Sequence, residues 1–383
     1  MESLNQNELV SLIKSVFPPF AQDRVLAILV DIPGDESEDN ENWRIRRQLA
    51  EQWAHHLQAS CPHLDLERVD LIAYTSVGSN NADLPGVGTI IEKNLPVNKI
   101  GLKKAGTTKP FAEIFQTTQL FLAPTEYSTT APLKMAAKKY GFRAATMPGF
   151  CPEMIPALRI DYGAVNERVQ FLKKKLDAAI SADVLFLVDE KQEYHVHFDL
   201  RYRPAHASGG RFPEAGVAGN VPSGETYIVP YEGEKGEPSQ TNGILPVQFE
   251  DEIVLFEIKE NRAVKVKSSG KISEEQAQYL QNEPAYGNMA ELGFGVLADF
   301  GLKPIGEILL DEKLGFHIAF GRSEHFGGAV GPKQFSSATA VVHIDRIYLP
   351  ETQPRIRVRS IYLQYNAQEK EMIMQDGKYL QWS

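Results

Sequence analysis

Residues 24–32 read Arg-Val-Leu-Ala-Ile-Leu-Val-Asp-Ile, a β-branched apolar run with almost nothing to offer solvent on either side. Such a run belongs in a strand buried on both faces of a sheet. That cover comes from helices packed on the two sides, so the first half of the chain is constrained to a layered α/β arrangement. The neighbouring pattern agrees. Ile45, Leu49, Trp53 and Leu57 recur four apart within residues 43–58, as on one face of a helix. Residues 69–75 and 119–123 read as further strands. Residues 131–140 read as a helix stopped by Gly141, a residue suited to a helix C-cap, with a strand following at 142–147. No Gly-x-Gly-x-x-Gly follows any of these strands, and Gly86-Val87-Gly88 is an isolated loop match, so nucleotide binding is not expected.

Val165, Val169, Leu172, Leu176 and Ile180 then line one face of a long amphipathic helix. After Ala182 the texture changes. Short, often alternating segments at 184–188, 194–203, 225–230, 252–259 and 263–267 are punctuated by glycine, proline and asparagine. Ser273-Glu-Glu-Gln276 has the form of a capping box opening a helix to about Leu280. Strands resume at 340–348, 355–365 and 371–382. The predicted fold class is therefore α/β, with a three-layer α/β domain over 1–185 followed by a β-rich α+β domain over 186–383. At 383 residues the chain exceeds what one core usually supports, which also calls for two domains.

A formal charge of −10 without a basic stripe argues against nucleic acid or an anionic membrane as partner. No apolar run approaches the roughly 18–20 residues that span a bilayer. The N-terminal Met-Glu-Ser-Leu-Asn-Gln lacks the basic and apolar regions of a secretory signal. Cys61 and Cys151 are too few for a disulfide framework and lie beside no histidine. They read as buried or incidental thiols in a protein of the reducing cytoplasm.

The chemically committed residues all fall after residue 185. They are Glu225 in Asn-Val-Pro-Ser-Gly-Glu, Glu291 in Ala-Glu-Leu-Gly-Phe-Gly, His317 in Gly-Phe-His-Ile-Ala-Phe-Gly, and His343 with Asp345 in Val-Val-His-Ile-Asp. Imidazole and carboxylate together form the ligand set that zinc, manganese or iron accept. In a strand, residues i and i+2 share a face, so His343 and Asp345 stand side by side. Buried ionised aspartate is costly unless paired or bound to metal. The plain structural alternative is a hydrogen-bonded His-Asp pair, a satisfied core His317 and an exposed turn Glu225. The glycines after Glu291 allow close backbone approach to another element.

The ordered pattern Pro-Ser-Gly-Glu, Glu-Leu-Gly-x-Gly, Asp-Glu-Lys…His-Ile-Ala-x-Gly and His-x-Asp resembles the thermophilic aminopeptidase family, the M29 peptidases (aminopeptidase T). The resemblance runs from about Asp199 to Tyr348, and more faintly around Thr146-Met-Pro-Gly149. It implies a metal-dependent aminopeptidase in which Glu225, Glu291, His317, His343 and Asp345 hold two divalent ions. Zinc is the first choice, with cobalt, manganese or magnesium as alternatives. It further implies a peptide substrate with a free N-terminus and a homodimer. One departure stands out. The family carries a tyrosine shortly after His-Ile-Ala-x-Gly, whereas this chain reads Gly-Arg-Ser-Glu-His-Phe-Gly-Gly over 321–328, with Glu324 about where that tyrosine belongs. Glu291, Glu324 and His325 are the candidate catalytic groups. Two other readings keep the fold. His317, His343 and Asp345 alone would suit a mononuclear Fe(II) ring-cleaving dioxygenase, and loss of the tyrosine would suit a degenerate M29-like binding protein.

Overall fold

A computed structural model describes residues 2–382, Ala338 by its backbone only. The chain forms two compact units. The first comprises residues 1–166 with 208–223, and the second residues 167–207 with 224–383. A single cut at 185 thus does not describe the division. Residue 185 lies inside the strand Ser181–Val188, which pairs with Gln192–Asp199 and Ile356–Gln364 of the second unit. The later segment 208–223 returns to the first unit because Ala218–Asn220 adds a parallel strand beside Arg143–Thr146.

The first unit is the expected α/β domain. Its seven strands run in the order Ala218–Asn220, Arg143–Thr146, Leu120–Ala123, Val25–Ile32, Arg68–Thr75, Val87–Ile91 and Gly106–Pro110. The first five are mutually parallel, and Val87–Ile91 pairs antiparallel with its neighbours on both sides. Every residue of Val25–Ile32 is buried. Ala27 and Leu29 pack with Phe111, Ile114, Phe115, Leu133 and Ala137 from two helices, while the helix Glu41–Ala59 packs on this sheet through a face bearing Trp43, Leu49, Trp53 and Leu57. Asn40 caps that helix by accepting from Trp43 N, and Gly141 closes the helix Thr130–Tyr140 at φ +82°.

The second unit holds two sheets. An eight-stranded sheet, antiparallel throughout, has the order Arg262–Val266, Glu252–Lys259, Asn242–Phe249, Gln192–Asp199, Ser181–Val188, Ile356–Gln364, Lys370–Gln375 and Lys378–Tyr379. A five-stranded sheet runs His343–Ile347, Phe316–Gly321, Met289–Gly295, Glu225–Ile228 and His206–Ser208. Their apolar faces meet, with Phe186 and Phe256 of the larger sheet against Phe316 and Phe320 of the smaller.

Three local expectations differ from the structure. The helix Tyr162–Ala178 ends before Ile180, which is 41% exposed, while Val165, Val169, Leu172 and Leu176 are buried as the spacing demands. The helix carrying Ser273 begins earlier, at Lys271, and Ser273 does not cap it. Its hydroxyl donates instead to Glu252 at 2.6 Å, whose carboxylate also accepts from the Ile272 and Ser273 amides at the helix start. The segment read as one strand at 371–382 is broken at Asp376-Gly377, where both residues have positive φ.

Candidate metal centre

Register in the five-stranded sheet collects the five ligand candidates on one face. In antiparallel pairs, residues opposite one another project to the same side, and so do residues two apart. Glu225 lies opposite Gly295, Gly293 opposite His317, Glu291 opposite Ala319, Ala319 opposite Asp345, and Gly321 opposite His343. The odd-numbered residues therefore form one surface of carboxylates and imidazoles separated by glycine and alanine. The even-numbered Leu292, Phe294, Phe316, Ile318 and Phe320 form the buried apolar face.

The small residues make room. A Cβ on Gly293 would lie 2.0 Å from His317 Nε2, so only glycine lets the imidazole lie across its neighbour strand. A Cβ on Gly295 would lie 2.3 Å from the Lys313 carbonyl carbon, so glycine here admits the chain that brings Lys313 to Glu225. The close approach expected from the Gly-x-Gly after Glu291 is thus present, and these are its two partners.

The five side chains converge as two triads sharing one member. Ligand atoms of Glu225, Glu291 and His317 lie within 4.8 Å of one another, and so do those of Glu291, His343 and Asp345. Glu291 Oε1 is 3.4 Å from His317 Nε2, and its Oε2 is 3.2 Å from His343 Nε2. His343 Nε2 lies 3.6 Å from Asp345 Oδ1, and His317 Nε2 lies 3.7 Å from Glu225 Oε2. Both imidazoles are oriented through the other nitrogen. His317 Nδ1 donates to the Gly315 carbonyl at 3.2 Å, and His343 Nδ1 donates to the Arg322 carbonyl at 2.8 Å. Those bonds leave Nε2 of each ring, turned toward the carboxylates, as the nitrogen that can take a proton or a cation.

Two of these buried ligand atoms, Glu225 Oε2 and His317 Nε2, have no hydrogen-bond partner. Buried polar atoms normally find one, so the donor set fits a cation that would satisfy both. Electrostatics tell the same story in protons. Burial alone would lower the His317 pKa, but the Glu291 carboxylate 3.4 Å away, with Asp345 and Glu225 beyond, raises it to about 9. His343 is raised well above its usual value against the same burial cost, by Asp345 and Glu291. Without metal, the cluster gathers positive charge as protons.

In sequence, Asp311-Glu312-Lys313 reads equally as a salt-bridged turn and as a catalytic element. Asp311 does hold a turn, accepting from the Ile305 and Gly306 amides at 2.9 Å. Lys313 is buried and donates to Glu225 Oε1 at 2.6 Å and also to Glu312. Burial pushes the Glu312 carboxyl up to about 8 despite Lys313, with Glu225 and Asp345 adding repulsion. The signal for Lys313 was the motif itself; nothing in its spacing revealed which carboxylate it would meet.

The two candidates after Gly321 part company. Both oxygens of Glu324 are taken by Arg322, at 2.6 and 3.0 Å, in an ion pair with 43% of the Glu324 side chain exposed. His325 instead stands edge-on to His343, ring centroids 5.2 Å apart. Lost solvation and repulsion from His343 and Arg322 lower its pKa to about 4, which makes it a neutral imidazole.

No protein-family model matches the chain, and no curated protein matches it in sequence. At least two solved structures share its fold. The 2,5-dihydroxypyridine dioxygenase from Pseudomonas putida KT2440 is 14% identical, with a TM-score of 0.60 over 99% of this chain and 98% of that one. Wild-type AmpT from Thermus thermophilus, an M29 aminopeptidase, is 13% identical, with a TM-score of 0.54 over 98% of each chain. The M29 fold, read first from four motifs, extends over the whole chain. At these identities the likeness is one of fold, and that fold includes both an aminopeptidase and a dioxygenase. No helix among the described residues is long and apolar enough to cross a membrane.

Proposed function

We propose that this chain is a metal-dependent aminopeptidase that uses two divalent ions, zinc first among them, to hydrolyse the N-terminal bond of a peptide. The observation that carries this reading is Glu291, whose two oxygens face two different histidines and belong to two different triads. A carboxylate so placed is suited to bridging two ions; a single ion needs only one of its oxygens. Glu225 and His317 would complete one position, His343 and Asp345 the other. Ions held there would acidify a water and polarise the scissile carbonyl, while one of them anchors the free α-amino group.

The chain's own groups supply the rest. The Gly315 and Arg322 carbonyls fix the two imidazoles with Nε2 forward. Lys313 offsets part of the negative charge of Glu225 and confines it to one free oxygen. Neither Glu291 nor Glu324 has a free oxygen for proton transfer, the first facing histidines and the second held by Arg322. Glu312, joined to Glu225 through Lys313 and with its carboxyl pushed up to about 8, can hold a proton at neutral pH, and we assign it the general acid–base role. His325, neutral and edge-on to His343, takes the place of the family's tyrosine by donating N–H to the carbonyl oxygen as charge develops. A cytoplasmic homodimer is part of the same proposal, the compartment supported by Cys61 and Cys151 being too few for a disulfide framework and the dimer by the M29 resemblance.

A second reading has its own support. Lys313 occupies Glu225 Oε1, which weakens Glu225 as a ligand and leaves His317, His343 and Asp345 as a two-histidine, one-carboxylate set for Fe(II). Loading the metal-free chain with zinc, cobalt, manganese or, under anaerobic conditions, Fe(II) separates the two. The aminopeptidase reading expects about two ions per chain and chelator-sensitive hydrolysis of aminoacyl-arylamides; one bound iron with oxygen uptake on a hydroxylated ring, and no hydrolysis, would replace it.

A further inference from the structure

The loop 322–331 reaches the metal centre at two points. Its Arg322 carbonyl accepts the Nδ1 proton of His343, and its His325 ring stands against the same imidazole. It is rich in glycine, and Phe326 and Val330 supply its apolar packing, so the polar ties that hold the rest of it help decide how His343 is presented. Glu232 does so from beneath. It is a buried carboxylate, its side chain 4% exposed, on the stretch after Glu225–Ile228 and in neither triad. Its Oε1 accepts from Ser323 Oγ at 2.5 Å and from Asn288 Nδ2 at 2.7 Å. Its Oε2 accepts from the Ala329 amide and from Arg203 Nη2 at 3.2 Å. Arg203 in turn donates through Nη1 to the Gly327 carbonyl at 2.6 Å.

One carboxylate therefore ties both ends of the loop, at Ser323 and Ala329, while its arginine partner ties the middle. The fit leaves no slack. A Cβ on Gly328 would lie 2.2 Å from Ser323 Oγ and 3.1 Å from Glu232 Oε2. Asn288 extends the network by also donating to the Gly321 carbonyl at 3.0 Å, at the end of the strand that carries His317. A buried carboxylate with four donors is a rigid anchor, and losing its charge leaves donors facing one another.

We infer that Glu232 is a positioning residue for the metal centre: through Ser323 and the Arg322 carbonyl it sets the orientation of His343, and hence the affinity of the half-site formed by Glu291, His343 and Asp345. This rests on the metal-binding reading above but not on the choice between one ion and two, since His343 is a ligand in both. Groups that orient a ligating histidine typically change metal affinity about 10–100-fold when removed.

The test is a Zn²⁺ titration of the chelator-stripped full-length chain, by calorimetry and by competition with a chelator of known affinity. Wild type is compared with Glu232→Gln and Ser323→Ala, and melting curves confirm that each variant is folded. Ser323→Ala keeps the Glu232 charge and its bond to the Ala329 amide and removes only the tie next to the Arg322 carbonyl, so it serves if Glu232→Gln does not fold. The expected result is about a 10–100-fold weakening of the ion that uses His343, with the ion on Glu225 and His317 changed by no more than about threefold. A single-ion protein would show the same weakening of its one ion. Wild-type affinity at every site in a folded variant, or equal weakening of both ions, overturns the inference. Wild type that binds no Zn²⁺ defeats the metal reading itself, and is seen before any variant is compared.

Discussion

Both units of this protein bury charge, but they treat it differently. In the first unit, Arg143 donates to the Pro18 and Phe212 carbonyls and to Asp23, and Arg46 donates to the Phe150 carbonyl and to Glu126. Asp31 accepts from Trp43 Nε1 and from the Glu126 and Tyr127 amides. None of these residues has a buried polar atom without a partner. On the ligand face of the second unit, Glu225 Oε2 and His317 Nε2 are buried and unpartnered, and imidazole nitrogens face carboxylates on a surface cleared by glycine. Fully satisfied buried charge specifies a structure; partly unsatisfied buried charge of one chemical type specifies a ligand.

That contrast breaks most decisively at Glu291. Glu291→Ala is expected to remove both ions and all chelator-sensitive hydrolysis, as measured by metal analysis and arylamide turnover, because it belongs to both triads. Glu312→Gln is expected to keep the metal while lowering kcat by about 10²–10⁴-fold, the usual span for a general acid–base group. Unchanged kcat would remove Glu312 from the mechanism. Arg143→Ala, in the satisfied network, is expected to cost about 3–5 kcal/mol in denaturant unfolding by stranding Asp23. Its metal content per folded molecule should stay at the wild-type level.

Asp31 offers a test by pH. Burial raises its carboxyl to about 6, against the pull of the Glu126 and Tyr127 amides and Arg46, from an ordinary value of 3.8. The folded state thus binds this proton more tightly than the unfolded state. Its contribution favours folding most below pH 3.8, declines as pH rises toward 6, and is constant above that. The total change is about 3 kcal/mol. A carboxyl carbon resonance titrating near pH 6 is expected, and one titrating near 4 would show Asp31 to be solvated. The smallest effect belongs to Glu324. With both oxygens held by Arg322 at a partly exposed site, Glu324→Ala should change stability by no more than about 1 kcal/mol and turnover by no more than about threefold. His325→Ala should lower turnover by at least tenfold.

Much of the first unit was legible because its signals are local. Val25–Ile32 could only be a doubly covered strand, and Gly141 marked where its helix stops. The return of 208–223 was not legible, since Ala218–Asn220 is a three-residue strand in a glycine-rich stretch with no apolar run to announce it. Asn242–Phe249 was also missed as a strand: Pro246 interrupts it, and it alternates weakly. In the candidate site, His343 and Asp345 were legible as neighbours because i and i+2 share a strand face. Their meeting with Glu225, Glu291 and His317 was not, because it depends on register across three antiparallel pairs, set by bulges and turns rather than by any local pattern. The ordered motifs bridged that gap only by resemblance. Glu324 was legible only by its position at the missing tyrosine, and the sequence did not show that Arg322, two residues before it, pairs with both its oxygens while the His325 ring stands beside His343.

The most direct test of the two-ion reading is an anomalous-scattering map from crystals of the zinc-loaded chain. The account expects two peaks, one among Glu225, Glu291 and His317 and one among Glu291, His343 and Asp345, with Glu291 touching both. A single peak on His317, His343 and Asp345, with Glu225 still bound only to Lys313, or no peak at all, would contradict it.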